Sequence, residues 1–238
     1  MIKNAPVFSN KPRFKQINCT ESRGSGLDLR QAEGILAYRP DIVLLEYPCN
    51  TEPPDMPFNA YAPMEKPEAM VAKRTAEFPA EVLKRDPWVA ADTAMWRNVA
   101  QLWSEGHQVL AYPTDGPSEL TSEWREVWDH MYPQATKNWV WWVHIYLRER
   151  LMANHVRYVL DKHSDMAKPM VMVYLESFHW KHVKFLLSEP SQQEIWEYYF
   201  GRFPEVDQSS IADRIKALNP VFYKYWQQYS DFTTVSKS

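Results

Sequence analysis

The chain has 238 residues, of which 45% are hydrophobic and 24% are charged, and its formal net charge is −3. This balance is ordinary for a globular protein and argues against a disordered or fibrous class. No run of lysine and arginine is interleaved with aromatic residues, so nucleic-acid binding is not expected. The length favours a single α/β domain over residues 1–238.

Cysteine spacing and hydropathy limit the cellular compartments in which the protein is expected. Cys19 and Cys49 lack the spacing of a disulfide framework or a structural zinc site. The N-terminal residues lack the apolar core of a signal peptide, and no segment approaches the ~20 apolar residues that span a bilayer. We therefore expect a soluble, cytoplasmic protein that does not associate with membranes.

The first elements form a strand–helix–strand unit. Alternating polar and apolar residues predict a strand over Arg13–Cys19, and helical spacing predicts a helix over Leu27–Tyr38. A second, buried strand covers Ile42–Leu45 and ends in Glu46. Short connections between these elements favour parallel strands joined by a right-handed crossover.

Residues 47–100 are interpreted as an insertion. Its first part, Pro48–Pro67, is rich in proline and aperiodic, which is typical of a lid or a long surface loop. Helical character follows over residues 67–85. A clearer amphipathic helix covers Trp88–Glu105, and Gly106 is expected to end it.

The rest of the chain continues to alternate strand and helix up to residue 187. The predicted elements are a strand at Gln108–Tyr112, a turn at Thr114–Pro117, helices at Leu120–Met131 and Trp139–Lys162, a strand at Met170–Leu175 and a helix at Lys181–Leu187. Residues 192–238 form a helical extension with two or three helices up to Tyr229. This order predicts an α/β fold with a central, mainly parallel sheet flanked by helices.

Polar side chains follow each predicted strand. They are Glu21 after the first strand, Glu46 after the second, Asp115 after the third, and Glu176 and His179 after the fourth. The carboxyl ends of parallel strands meet at one edge of a sheet, where α/β proteins bind ligands. A group of carboxylates with a histidine suits metal binding or acid–base catalysis. The alternative is that these residues only cap helices and turns.

Four segments, taken in order, resemble a known superfamily. They are Arg39-Pro-Asp-Ile-Val-Leu-Leu-Glu46, Trp103–Asp115, Arg148-Glu-Arg-Leu-Met-Ala153 and Met170–His179. Their order and spacing are similar to those of the superfamily that includes the TraB/PrgY proteins, the Tiki metalloproteases, the ChaN-like haem-binding lipoproteins and the erythromycin esterases. Residues 13–187 would then be the core of the fold.

The resemblance implies a hydrolase of ester or peptide bonds that acts on a small molecule or a peptide. A divalent metal (manganese, cobalt or zinc) or a His/Glu pair would activate water to attack a carbonyl. Glu21, Glu46 and His179 would be metal ligands or bases. Arg148 would stabilise the developing oxyanion or orient a carboxylate.

The chain departs from the superfamily pattern at two positions. The first motif of the superfamily is Gly-x-x-His, but this chain has Asn18-Cys-Thr-Glu21, with Glu21 in the place of the histidine. The second motif has Glu176 in place of glycine, although it keeps His179. A degenerate member that kept the fold and lost the chemistry is therefore a second interpretation.

Further candidates and functions stay open. Asp115, Glu176 and His182 are additional candidate site residues. A non-catalytic protein that binds a porphyrin or an amphiphile in a Trp-rich cleft is one alternative, and a homo-oligomeric interaction protein is another. The aromatic helix Trp139–Tyr146, which contains Trp141, Trp142 and His144, would line such a cleft or interface. Packing in the core is the favoured interpretation of that helix.

Overall fold

The computed structural model of the chain describes residues 16–19, 29–48, 66–77, 80–117, 119–123, 137–167 and 169–232. Within them, four strands form one parallel sheet in the order β1-β4-β2-β3. These strands are β1 (Gln16–Cys19), β2 (Ile42–Pro48), β3 (Leu110–Asp115) and β4 (Met170–Tyr174). The predicted parallel α/β arrangement is therefore confirmed.

Strand register places the ends of three strands side by side. Leu45 of β2 pairs with Pro113 of β3 and with Tyr174 of β4. Because the three strands are parallel, the residues that follow these positions lie at the same edge of the sheet. Glu46 and Asp115 meet there for this reason.

Helices flank the sheet and continue the chain after β4. Among the described residues they are α1 (Leu29–Tyr38), α2 (Pro67–Glu77), α3 (Ala80–Arg85), α4 (Pro87–Ser104), α5 (Trp139–Lys162), α6 (Ser177–Leu187), α7 (Gln192–Tyr199), α8 (Ile211–Leu218) and α9 (Pro220–Tyr229), together with a helical segment at 119–123. The predicted bounds of α5 are confirmed. The helical character predicted over residues 67–85 corresponds to two helices, α2 and α3.

The third strand begins at Leu110 rather than at Gln108, and α4 ends in the glycine cap that the sequence predicted at Gly106. Gly106 has φ 81, and its N–H donates to the carbonyl of Trp103 at 3.0 Å, while the N–H of His107 donates to that of Leu102 at 2.8 Å. This pair of bonds is a Schellman motif and accounts for the glycine. Pairing with β2 then extends to Asp115, so the predicted turn residue Asp115 is the last residue of the strand.

Helix α6 begins earlier than predicted. It starts at Ser177 rather than at Lys181, and the N–H of Trp180 already donates to the carbonyl of Glu176 at 2.9 Å. His179 and His182 are therefore both helical residues. Since residues three apart share a helix face, the two imidazoles lie on the same side of α6.

The sheet separates two apolar clusters. Alternate residues of β2 point to opposite faces, so Ile42 and Leu44 pack with α5 and the C-terminal helices, whereas Val43 and Leu45 pack with α1 and α4. Trp141, Trp142 and His144 belong to the interior, with exposed fractions of 7%, 6% and 0%. The packing interpretation of the aromatic helix is confirmed.

Parts of the predicted architecture involve residues that the structure does not describe. Three predicted features lie outside the described residues: Glu21, most of the proline-rich loop Pro48–Pro67, and residues 124–131 of the predicted helix Leu120–Met131. In the part of the chain that the structure describes, no helix combines the length and hydropathy needed to cross a bilayer.

Candidate functional site

Arg148 of α5 is the centre of a polar network at the carboxyl edge of the sheet. Its Nε and Nη2 donate to Asp115 Oδ1 and Oδ2 at 2.7 and 2.6 Å. Nη2 also donates to Glu46 Oε1 at 2.9 Å, and Nη1 lies 2.9 Å from His179 Nε2. The network thus joins four residues that the sequence had singled out, from β2, β3, α5 and α6.

Glu176 is part of the same group. Its backbone N–H donates to Glu46 Oε2 at 2.8 Å, and its own Oε2 lies 3.9 Å from His179 Nε2. The side chains of Glu46 and Glu176 are 22% and 33% exposed, whereas that of His179 is 4% exposed. The two glutamates are therefore the most exposed members of the group, and Arg148 is less exposed at 15%.

Glu46 has an unusual protonation equilibrium. Burial raises the pKa of its carboxyl to about 7, although the nearby Arg148 charge acts in the opposite direction. Burial also raises the pKa of Glu176. A carboxyl whose pKa lies near neutrality can both take up and release a proton at working pH, which suits general acid–base catalysis.

The charge states of Arg148 and His179 follow from their surroundings. Burial works to lower the pKa of Arg148, but its contacts with Asp115 and Glu46 outweigh this, and the net effect raises it. Burial, with the Arg148 charge, holds the pKa of His179 well below its usual value. His179 is therefore a neutral imidazole. Because guanidinium only donates, His179 Nε2 accepts from Nη1, and Nδ1 carries the ring hydrogen.

Two residues that the sequence had not singled out complete the buried side of the network. Glu149 is fully buried, with Oε1 at 3.1 Å from His179 Nδ1. The hydroxyl of Tyr199, in α7, donates to Glu149 Oε2 at 2.9 Å. Burial raises the pKa of Glu149 well above its usual value, while the Tyr199 hydrogen bond and the Arg148 charge act against this rise.

A periodic signal for Glu149 existed in the sequence. In α5 it follows Tyr146 by three residues and precedes Ala153 by four, and both of these are buried. Residues at these spacings lie on one helix face. A carboxylate on an apolar face requires a partner. No comparable signal identified Tyr199, which lies 50 residues away in the chain.

His182 lies behind this network and not at its exposed edge. Its Nδ1 is 3.3 Å from Glu149 Oε2, and its ring centroid is 4.6 Å from that of Phe178. Burial lowers the pKa of His182 to about 4, so the ring is neutral near pH 7. The structure therefore places this candidate next to Glu149 rather than next to Glu46.

Glu46, Glu176 and His179 each offer one possible metal-ligand atom, and these atoms lie within 4.8 Å of one another. Carboxylate oxygens with an imidazole suit manganese or a similar divalent ion. However, Arg148 uses the only lone pair of His179 Nε2 and also donates to Glu46 Oε1. The guanidinium already supplies the positive charge at this point. The residues therefore do not fit a resident cation while Arg148 holds this position.

No protein-family model matches the chain, and neither the curated proteins nor the solved structures contain a match. The resemblance of four segments to the TraB, Tiki and erythromycin esterase superfamily therefore stays a prediction. The features of the chain that bear on its function are the Arg148 network and the two glutamates at its exposed edge.

Proposed function

We propose that the chain is a hydrolase of ester or peptide bonds in which Glu46 activates water. One observation carries this proposal: Arg148 and the Glu176 N–H hold the Glu46 carboxylate in one orientation, at a position where burial raises its pKa to about 7. A general base works best when its pKa lies near the operating pH and its geometry is set in advance.

Glu46 keeps capacity for a water molecule. Each of its carboxylate oxygens accepts one of these hydrogen bonds, and each oxygen has a second lone pair. Ionised Glu46 takes a proton from water as the water oxygen attacks the carbonyl carbon. The same proton then passes to the leaving alkoxide or amine when the tetrahedral intermediate collapses, which leaves a carboxylic acid and an alcohol or amine.

Arg148 would stabilise the oxyanion of that intermediate. A guanidinium has five N–H donors, and four of those of Arg148 contact Asp115, Glu46 and His179. Within the described part of the chain, this leaves one Nη1 hydrogen to meet a developing negative charge. A donor aimed in advance at such a charge contributes strongly to catalysis because it needs no reorganisation.

His179 has a different role here from the one that the resemblance implied. Its Nε2 accepts from Arg148 and so does not serve as a base or as a ligand in this arrangement. We infer that it orients the guanidinium, as Asp115 does on the opposite side. Glu46 would then be the carboxyl of the network that Arg148 and the Glu176 N–H orient for proton transfer.

A metal-dependent hydrolase is a second candidate, favoured by the convergence of Glu46, Glu176 and His179 within 4.8 Å. It requires Arg148 to withdraw from Glu46 and His179. Glu46, Glu176 and His179 would then be the residues that hold manganese, cobalt or zinc, and the chemistry supplied would be that of a Lewis acid.

The proposal is tested with the purified chain on p-nitrophenyl acetate, p-nitrophenyl butyrate and a library of fluorogenic peptides. Replacing Glu46 with Gln removes the base, and we expect kcat to fall by about 10²–10⁴-fold. The exposed Glu205, replaced with Gln, is the matched control and should leave kcat unchanged. Absence of turnover by the wild type on the whole panel, or an E46Q variant as active as the wild type, overturns the proposal.

A further inference from the structure

The Nδ1 side of the His179 ring contacts a buried pair of residues, Glu149 and Tyr199. Its Nδ1 lies 3.1 Å from Glu149 Oε1, and Glu149 in turn accepts a hydrogen bond from Tyr199 at 2.9 Å. Glu149 is 0% exposed and Tyr199 is 0% exposed, so no water competes for these contacts. This is an acceptor placed at the one ring atom of His179 that must donate.

His179 Nδ1 has to carry the ring hydrogen because of the contact that Arg148 makes at Nε2. Arg148 Nη1 contacts His179 Nε2 at 2.9 Å, and a guanidinium has no lone pair with which to accept. The contact is favourable only when Nε2 carries no hydrogen. A neutral imidazole with a free Nε2 has its hydrogen on Nδ1, and the hydrogen bond made at one nitrogen sets the state of the other.

We propose that Glu149 is a positioning residue that sets the Nδ1–H tautomer of His179 and thereby keeps His179 Nε2 available to hold Arg148. Tyr199 of α7 fixes Glu149 from the far side, so a C-terminal helix takes part in building the site. The expected effect of Glu149 on turnover rests on the proposed hydrolase function. Its effect on the tautomer of His179 is independent of that function.

The role assigned to Glu149 is that of a hydrogen-bond acceptor and not of a charge. Burial raises the pKa of Glu149, yet its Oε1 accepts from His179 Nδ1 whether the other oxygen carries a proton or not. Glutamine at this position keeps that acceptor and places its NH₂ group toward the Tyr199 oxygen. Leucine has a similar volume and removes the acceptor.

The direct measurement is the tautomer of His179 in the ¹⁵N-labelled chain, read from long-range ¹H–¹⁵N correlations of the imidazole rings near neutral pH. The His179 signals are assigned by their loss in His179→Asn. We expect Nδ1–H in the wild type and in Glu149→Gln, and loss of that preference in Glu149→Leu. Tyr199→Phe should keep the tautomer but broaden or shift its signals because Glu149 loses its donor.

Turnover provides the second readout. Glu149→Leu is expected to lower kcat by about 10–100-fold, the usual cost of losing a group that orients a site residue. KM should stay unchanged, since Glu149 does not reach the substrate side. Glu149→Gln should recover kcat to within a few-fold of the wild type, and Glu205→Gln again serves as the control.

The outcomes separate the two proposals. An Nε2–H tautomer in the wild type, or a changed tautomer in a folded Glu149→Gln, overturns the positioning role, and this holds even when Glu149→Leu does not fold. A kcat of Glu149→Gln as low as that of Glu149→Leu also overturns it. The expected tautomers together with no turnover on any substrate would overturn the hydrolase proposal and leave the positioning role intact.

Discussion

Arg148 donates two hydrogen bonds to the two carboxylate oxygens of Asp115, at 2.7 and 2.6 Å. Asp115 is the last residue of β3 and is 4% exposed, and its Oδ1 also accepts the N–H of Gly116 at 2.6 Å. A two-point contact of this kind fixes both the distance and the plane of the guanidinium. Asp115 therefore determines where the remaining Arg148 donors point.

Loss of this pair should destabilise the fold strongly. Arg148→Met leaves Asp115 as a buried, unpaired charge, and we expect the free energy of unfolding to fall by about 3–5 kcal/mol. Arg148→Lys keeps the charge but not the two-point geometry, so its loss should be intermediate. The measurement is urea unfolding followed by circular dichroism.

The matched control is Arg39→Met. Arg39 pairs with Glu105 at 2.6 Å on the surface, where both side chains are well exposed, and exposed pairs contribute little to stability. We expect almost no change for this variant. An Arg148→Met protein that is as stable as Arg39→Met would show that the Asp115 pair does not support the fold.

Turnover should depend on pH through Glu46. The raised pKa of about 7 means that the base form is lost as the pH falls through neutrality. We expect kcat/KM to decrease about tenfold for each pH unit below about pH 7, as for any single essential base. The measurement is kcat/KM across the neutral range on the best substrate of the panel. A profile that stays level well into the acid range would remove Glu46 from the role of base.

Metal removal should leave the protein active, because Arg148 uses the Nε2 lone pair of His179 and places its positive charge beside Glu46. After dialysis against EDTA, we expect unchanged kcat and no stoichiometric metal by elemental analysis. Added manganese, cobalt or zinc should not raise kcat. Stoichiometric metal that is lost in His179→Ala, together with activity that EDTA abolishes, would support the metal-dependent candidate instead.

The Arg148→Met variant should bind a divalent cation more tightly than the wild type. Without the guanidinium, the oxygens of Glu46 and the Nε2 atom of His179 become available, and a repelling positive charge disappears. We expect this variant to bind manganese or zinc more tightly than the wild type by at least about tenfold, as measured by isothermal titration calorimetry. Equal affinity in the two proteins would mean that Arg148 does not compete with a cation.

Asp92 in α4 should make stability depend on pH. It is 1% exposed, and burial raises its pKa from 3.8 to about 7. The folded chain therefore binds this proton more tightly than the unfolded chain, and its contribution to stability is lost as the pH rises from about 4 to about 7.

Asp92→Asn removes this titration. Relative to the wild type, its free energy of unfolding should rise by about 2–4 kcal/mol between about pH 4 and pH 8, because ionisation of the buried acid no longer opposes folding. Urea unfolding at several pH values measures the difference between the two proteins, in which the other titrating groups cancel. Asp213→Asn, at an exposed position of α8, is the control. A pH-independent difference for Asp92→Asn would contradict the prediction.

Much of the edge of the sheet could be predicted from local patterns. The apolar run that ends at Glu46 and the short run before Glu176 are strands in the structure, and strand–helix alternation predicts that such strands are parallel. Parallel strands bring their carboxyl ends together, so Glu46, Asp115 and Glu176 were expected to meet. Gly106 predicted the end of α4 correctly, whereas the start of β3 at Leu110 and the start of α6 at Ser177 were not visible in the periodicity.

What the sequence by itself determined was the set of polar groups at one edge, because hydrophobic periodicity and chain direction are local properties. Only the tertiary structure decided what those groups can do. Glu149 and Tyr199 are 50 residues apart in the chain and meet behind His179 through the packing of α7. The pKa of about 7 at Glu46 arises chiefly from burial, opposed by Arg148, which is 102 residues away. Burial and long-range contacts depend on which elements pack together, and no local pattern records that.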